Sequence, residues 1–222
     1  MIRSSRIMFW WFEVKIHFKK LYPFLIPYIA VITGLYFLKN AWISILLYHV
    51  MIIAYIVATG RISGFRKIKC GWNVRLMFFS CVVSVLAGPA LFAFWDLMTL
   101  KNSDPGLILT GFHLNGISWT LFIPYFCLIH PGLEEVFWRG NSEKDKVTGI
   151  FRDILFGGYH VLVLVLFIKL EWVIISFLLL TFISIMWNSI SQKTHGLLIP
   201  LLSHTVTDTS IIIAANIILN RN

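Results

Sequence analysis

The feature that most restricts this chain is a series of apolar runs, each about 18–22 residues long, separated by short polar stretches. A helix of that length, rising 1.5 Å per residue, crosses a hydrocarbon core about 30 Å thick. In lipid each backbone N–H and C=O must find its partner inside the segment, so such runs form helices. Seven can be drawn, over about residues 21–38, 42–58, 76–98, 117–137, 150–168, 171–187 and 197–219. The expected fold is all-α: one polytopic bundle of about seven transmembrane helices occupying residues 21–222. Composition agrees, since 13% of the residues are charged where a soluble domain has about 25%. The stretch from about 101 to 116 holds Asn102, Asp104, Pro105, Gly106, Asn115 and Gly116, and reads as an external loop or a short re-entrant piece.

Residues 1–20 are different in kind. Arg3, Arg6, Lys15, Lys19 and Lys20 are interleaved with Phe9, Trp10, Trp11 and Phe12, which suits an amphipathic helix lying on the membrane surface rather than a cleavable signal peptide. The net charge of +9 is explained by topology without any nucleic-acid partner. With the N-terminus in the cytoplasm, residues 1–20, 59–75, 138–152 and 188–196 are inside and hold fifteen of the nineteen Lys and Arg residues. Only Lys39, Lys101, Lys169 and Arg221 are then outside, as the positive-inside rule requires. Lipids are the implied partners, and a bacterial plasma membrane is the expected location. Cys70, Cys81 and Cys127 show neither disulfide nor zinc-motif spacing.

Ionisable residues inside such runs cost a few kcal/mol each on insertion scales, so each needs a reason. Glu134 and Glu135 end the fourth run, His160 lies in the fifth, and His204 and Asp208 lie in the seventh. Counting from the run ends puts all five roughly 10–15 Å or less below the cytoplasmic face. Glu135 and Arg139, four apart, are in the favourable order for an ion pair on one helix face. That pairing leaves Glu134, about 100° round the helix, free for another role. Glu134 and a neutral His160 can together hold and deprotonate a water. His204, oriented by Asp208 four residues on, can present an N–H to a developing oxyanion. These are the parts of water-mediated peptide hydrolysis without a covalent nucleophile.

Taken singly, each has a plainer structural explanation: an interfacial ion pair, a buried His on a carbonyl, a helix–helix hydrogen bond. It is their convergence from three helices that points to a site. Glu134, His160, His204 and Asp208 are also acceptable zinc ligands. No H-E-x-x-H helix is present, however, so the reading favours no cofactor, with zinc as the mechanistic rival. His49 and His130 read as structural, His130 as a potential support for Glu134 one turn on. Gly157 and Gly158 permit close helix approach.

The stretch Glu134-Glu135-Val136-Phe137-Trp138-Arg139 resembles the E-E-x-x-x-R motif of the CPBP family, the CAAX-protease and bacteriocin-processing (Abi) membrane proteins. Phe156-Gly157-Gly158-Tyr159-His160 resembles its F-x-x-x-H motif, and His204-Thr205-Val206-Thr207-Asp208 its H-x-x-x-N/D motif. The ordered set, over about residues 117–215, carries the resemblance. It implies an intramembrane endopeptidase fold opening to the cytoplasm and acting on a membrane-associated peptide or lipidated protein. By that resemblance Glu134 and His160 activate water, His204 and Asp208 stabilise the oxyanion, and Glu135 and Arg139 shape the site. Asp208 departs from the Asn of the eukaryotic CAAX proteases. A carboxylate donates no hydrogen bond unless protonated, so Asp208 is expected to act through His204, and the case for prenylated substrates weakens. Two other classes remain: a catalytically silent scaffold or immunity protein of the same fold, and a secondary transporter. The odd number of runs, the absence of a repeat and the off-centre cluster argue against the transporter.

Overall fold

The computed structural model describes residues 21–101, 103–140 and 146–221; the amphipathic segment expected over 1–20 lies outside the described residues. Among the described residues eight main helices follow one another: α1 (Tyr22–Phe37), α2 (Ala41–Ala58), α3 (Val74–Met98), α4 (Pro105–Gly111), α5 (Gly116–Arg139), α6 (Lys146–Leu164), α7 (Leu170–Thr194) and α8 (Leu198–Leu219), with short helical turns at Ser63–Arg66 and Lys67–Lys69 between α2 and α3. Among the described residues the β pairing is a single isolated bridge between Thr99 and Ile168. Five helices, α2, α3, α5, α7 and α8, are long and apolar enough to cross a membrane. The apolar α1 is shorter, while α6 has 19 residues and carries Arg152 and Asp153. The stretch read as a loop or re-entrant piece contains the short helix α4.

Helix starts are set by side-chain caps, which matter where lipid offers no water to orphaned N–H groups. The Asn40 side chain accepts from the Ile43 N–H at the start of α2, and Asn73 accepts from Leu76 at the start of α3. Asp104 accepts from Gly106 and Leu107 ahead of α4, with Pro105 in the first turn where its missing N–H costs nothing. Large apolar side chains point outward: Phe78, Phe79, Val82 and Val83 on α3, and Ile174, Ile175, Leu178 and Phe182 on α7 are exposed. Small polar residues such as Ser44, Ser80, Ser84, Ser184 and Ser203 are buried between helices. That inversion of a soluble pattern is what lipid as solvent requires.

Two proline breaks shape the bundle. In α3, Pro89 has no N–H to offer the Val85 carbonyl four residues earlier. The Ser210 hydroxyl of α8 donates to that carbonyl at 2.6 Å and accepts from the Gly88 N–H at 2.8 Å. A side chain on Gly88 would strike the Ser210 backbone, so only glycine allows the approach. In α5, Pro124 and Pro131 bracket a wide π-type turn over Tyr125–Ile129 before the helix resumes at His130. Helix α8 packs on α3, α5 and α7, α6 packs along α7, and α1 pairs with α2. The core is aromatic, built from Phe24, Tyr48, Phe137, Trp138, Phe156 and Tyr159.

Ser210→Ala removes the hydroxyl that bridges the break in α3 and is expected to cost about 1 kcal/mol, at most about 2. Adding Pro89→Ala, which restores an N–H for Val85, should recover much of that loss. Unfolding of the two variants in bicelles checks this; additive losses would refute the patch.

Candidate functional site

The site is built on the last ten residues of α5, which are interior nearly all round: His130, Pro131 and every residue from Glu134 to Arg139 are buried. Glu134 and Glu135 are 0% exposed and Arg139 1%, so their charges must be met by neighbours. Arg139 Nη1 donates to Glu135 Oε1 at 2.7 Å, the i to i+4 pair expected from spacing. Its Nη2 donates to Ser184 Oγ of α7 at 2.8 Å, and that hydroxyl donates to Asp153 Oδ1 of α6 at 2.8 Å. The guanidinium also lies over the rings of Phe156 and Trp187, 5.0 and 5.2 Å from their centroids. Glu135 Oε1 in turn accepts from His204 Nδ1 of α8 at 2.9 Å. One guanidinium thus ties α5, α6, α7 and, through Glu135, α8.

Glu134 is held differently. Its Oε1 accepts from the hydroxyls of Tyr48 on α2, at 2.5 Å, and Tyr159 on α6, at 2.6 Å, with the Trp138 indole N–H at 3.4 Å. Trp138 donates more closely to Tyr48 Oη, at 2.9 Å. The other oxygen, Oε2, has no hydrogen-bond partner among the described residues. It stands 3.7 Å from His130 Nε2 and 3.7 Å from His204 Nε2. One carboxylate oxygen is saturated by phenols; the second is presented to two imidazoles.

His204 uses both nitrogens. Nδ1 faces Glu135, which can only accept, so Nδ1 carries a hydrogen. Nε2 lies between Glu134 Oε2 and Asp208 Oδ2, the latter 3.6 Å away and without a hydrogen-bond partner among the described residues. The short bond to His204 comes from Glu135, so orientation of that ring falls to Glu135 as well as to Asp208. His160 is half-buried beside the cluster. Its Nδ1 donates to the Phe156 carbonyl at 2.7 Å, and its ring lies 4.0 Å from that of Tyr159. Its link to Glu134 thus runs through Tyr159. The structure gathers Glu134, Glu135, Arg139, His204 and Asp208 into one hydrogen-bonded and ionic cluster, with His160 at its edge. Among the described residues no group of three or more His, Cys, Asp or Glu side chains is placed to hold a metal ion.

Sequence reasoning missed several members. Tyr48 and Tyr159 were passed over because a phenol in an apolar run looks like packing. Arg152, counted with the inner stretch 138–152, and Asp153, inside the fifth run, are both buried in α6. A carboxylate within an apolar helix, seven residues before His160, was the available signal for Asp153. His49, of α2, hydrogen-bonds through Nδ1 to Tyr125 Oη at 2.6 Å and through Nε2 to His130 Nδ1 at 3.0 Å.

Arg139→Met strands the Glu135 carboxylate in the interior and is expected to cost about 3–5 kcal/mol of stability. Glu135→Gln combined with Arg139→Met removes the stranded charge and should regain a large part of it. Thermal unfolding of the single and double variants in one detergent reads the coupling; equal losses would mean that the pair is solvated rather than buried.

Comparisons with family models, with curated proteins and with solved structures returned no match, so function is argued from the chemistry of this cluster.

Proposed function

We propose that this chain is an intramembrane endopeptidase of the CPBP type, with about seven spans and an N-terminal surface helix. It would hydrolyse a peptide bond in a membrane-associated or lipidated substrate. The observation that carries this reading is Glu134: wholly buried, one oxygen fixed by two tyrosine hydroxyls and the other unpaired between imidazoles from two helices. Glu135 and Asp208 also keep an unpaired oxygen, but Glu135 is tied to the Arg139 guanidinium, whereas Glu134 Oε2 stands between two imidazoles with no Lys or Arg bonded to its carboxylate among the described residues. The basic inner loops support a site that opens to the cytoplasm, and the resemblance to bacteriocin-processing proteins supports a bacterial plasma membrane.

In this mechanism Glu134 Oε2 accepts a proton from a water as its oxygen attacks the scissile carbonyl carbon. The lone pair displaced onto the carbonyl oxygen is met by the Nε2–H of a doubly protonated, positively charged His204, whose Nδ1–H is held by Glu135 and whose Nε2 lies beside Asp208. The tetrahedral intermediate collapses by expelling the amine, which takes the proton back from Glu134. His160, its Nδ1–H held by the Phe156 carbonyl, keeps a bare Nε2 that is able to accept a hydrogen bond from the same water. No cofactor is required, because a carboxylate with a free oxygen supplies the base.

The decisive variant is Glu134→Gln. The glutamine oxygen can still accept from Tyr48 and Tyr159, so the fold should persist while the base is gone. New peptide termini in membrane and secreted fractions should vanish in cells carrying it, with cleavage falling by about 10²–10⁴-fold. Unchanged termini, with any deletion phenotype still rescued, would leave a membrane scaffold or immunity protein of the same fold. Incubation of the purified protein with 1,10-phenanthroline should leave cleavage unaltered; inhibition reversed by added zinc would instead make the site a metal centre.

A further inference from the structure

The proposed mechanism leaves the buried His49 and His130 unused. Tyr125, His49 and His130 form a hydrogen-bonded row that ends 3.7 Å from Glu134 Oε2. The row depends on the wide turn in α5. In a regular α-helix, residues 125 and 130 would lie about 140° apart round the axis. Bonding of the i to i+5 kind over Tyr125–Ile129 brings them toward one face, so that the two nitrogens of a single His49 reach both. The prolines on either side of that turn fix where it falls. His49 is buried at 2% and His130 at 6% exposure. The His49 and His130 rings stack at 5.3 Å, and Phe126 stacks on His130 at 4.9 Å, so neither ring is free to flip.

The direction of the row follows from its first member. The tautomer of His49 decides which atom of the Tyr125–His49 pair, 2.6 Å apart, donates; the greater acidity of the phenol favours donation by Tyr125 to Nδ1. His49 then carries its hydrogen on Nε2 and donates to His130 Nδ1. His130 in turn carries its hydrogen on Nε2, aimed at Glu134 Oε2. His160 and His204 are set the opposite way: each donates from Nδ1, to the Phe156 carbonyl and to Glu135. With the row in that direction, His130 alone of these three imidazoles is an Nε2–H donor while uncharged.

We propose that His130 is a further catalytic residue, the neutral second donor to the oxyanion, and that His49 and Tyr125 are the positioning residues that lock its tautomer. This rests on the endopeptidase reading. A tetrahedral oxyanion is commonly met by two donors, and the His204 N–H supplies one. A neutral donor beside Glu134 adds its hydrogen bond without adding a second positive charge to a low-dielectric site. Its hydrogen bond strengthens as the carbonyl oxygen gains charge, so its contribution falls on kcat rather than KM.

The test has two arms. In the first, protein labelled with ¹⁵N-histidine in lipid bilayers is studied by solid-state NMR. The wild type should show His130 protonated on Nε2, and Tyr125→Phe, which keeps the ring, should convert it to a mixture of tautomers. An Nδ1-protonated His130 in the wild type would overturn the inference whatever the protein does. The second arm measures turnover of the substrate whose cleavage is lost in Glu134→Gln. His130→Phe should lower kcat about 10²–10³-fold with KM nearly unchanged, and Tyr125→Phe should lower it about tenfold. His130→Gln, whose amide is also a donor, should recover part of the loss. Unchanged kcat in His130→Phe would remove His130 from the chemistry. Failure of the endopeptidase reading would show separately, as termini unaffected by Glu134→Gln.

Discussion

The buried pairing of Arg139 with Glu135 is the interaction on which the rest of this structure hangs. A guanidinium in a bundle interior has no water to fall back on, and the partners of its two terminal nitrogens determine what stands nearby. Here those demands draw in Ser184 and Asp153 from two other helices, and aromatic faces from Phe156 and Trp187. The Glu135 oxygen that accepts from Arg139 also accepts from His204. The position of the α8 imidazole is therefore a consequence of the α5 ion pair. Desolvation makes such a cluster expensive, and its return is rigidity: none of its members can turn without stranding another.

Rigidity of that kind has a use only if something is left over, and Glu134 is what is left over. Glu135 is consumed by the ion pair, whereas Glu134 rests on two neutral phenols that hold one oxygen without neutralising its charge. Adjacent residues on one helix point about 100° apart, so two neighbouring glutamates meet two environments, one cationic and one aromatic. The same sequence step that separates them directionally separates them chemically.

Much of this was legible in the sequence, and the limits have physical causes. Apolar run length anticipated an all-helical bundle because lipid imposes it, although among the described residues five helices rather than seven are long and apolar enough to span. Helical periodicity put Glu135 with Arg139 and His204 with Asp208 on shared faces. Pairing of Glu135 with Arg139 needed only the i to i+4 rule. Partners from other helices were not legible, since no spacing rule says which residue of α2 faces α5. Tyr48, Ser184 and Asp153 are members of that class. The start of α6 was blurred because Arg152 looks like a loop residue until its burial is known.

The wide turn in α5 belongs to the same class and carries further. Two prolines seven residues apart were visible in the chain, yet a proline pair says only that the helix cannot be regular, not what the irregularity accomplishes. An α-helical register from 125 to 130 would have aimed Tyr125 away from His130 and left His49 with one partner at most. The extra residue in the turn changes the rotation between them, and that rotation lets one imidazole join two side chains. Buried polar side chains that form a closed row need no compensation from lipid or water, which is why the row can sit in the middle of an apolar bundle. A local departure from helical geometry, costly by itself, is thus what lets the side chains of this row pair with one another.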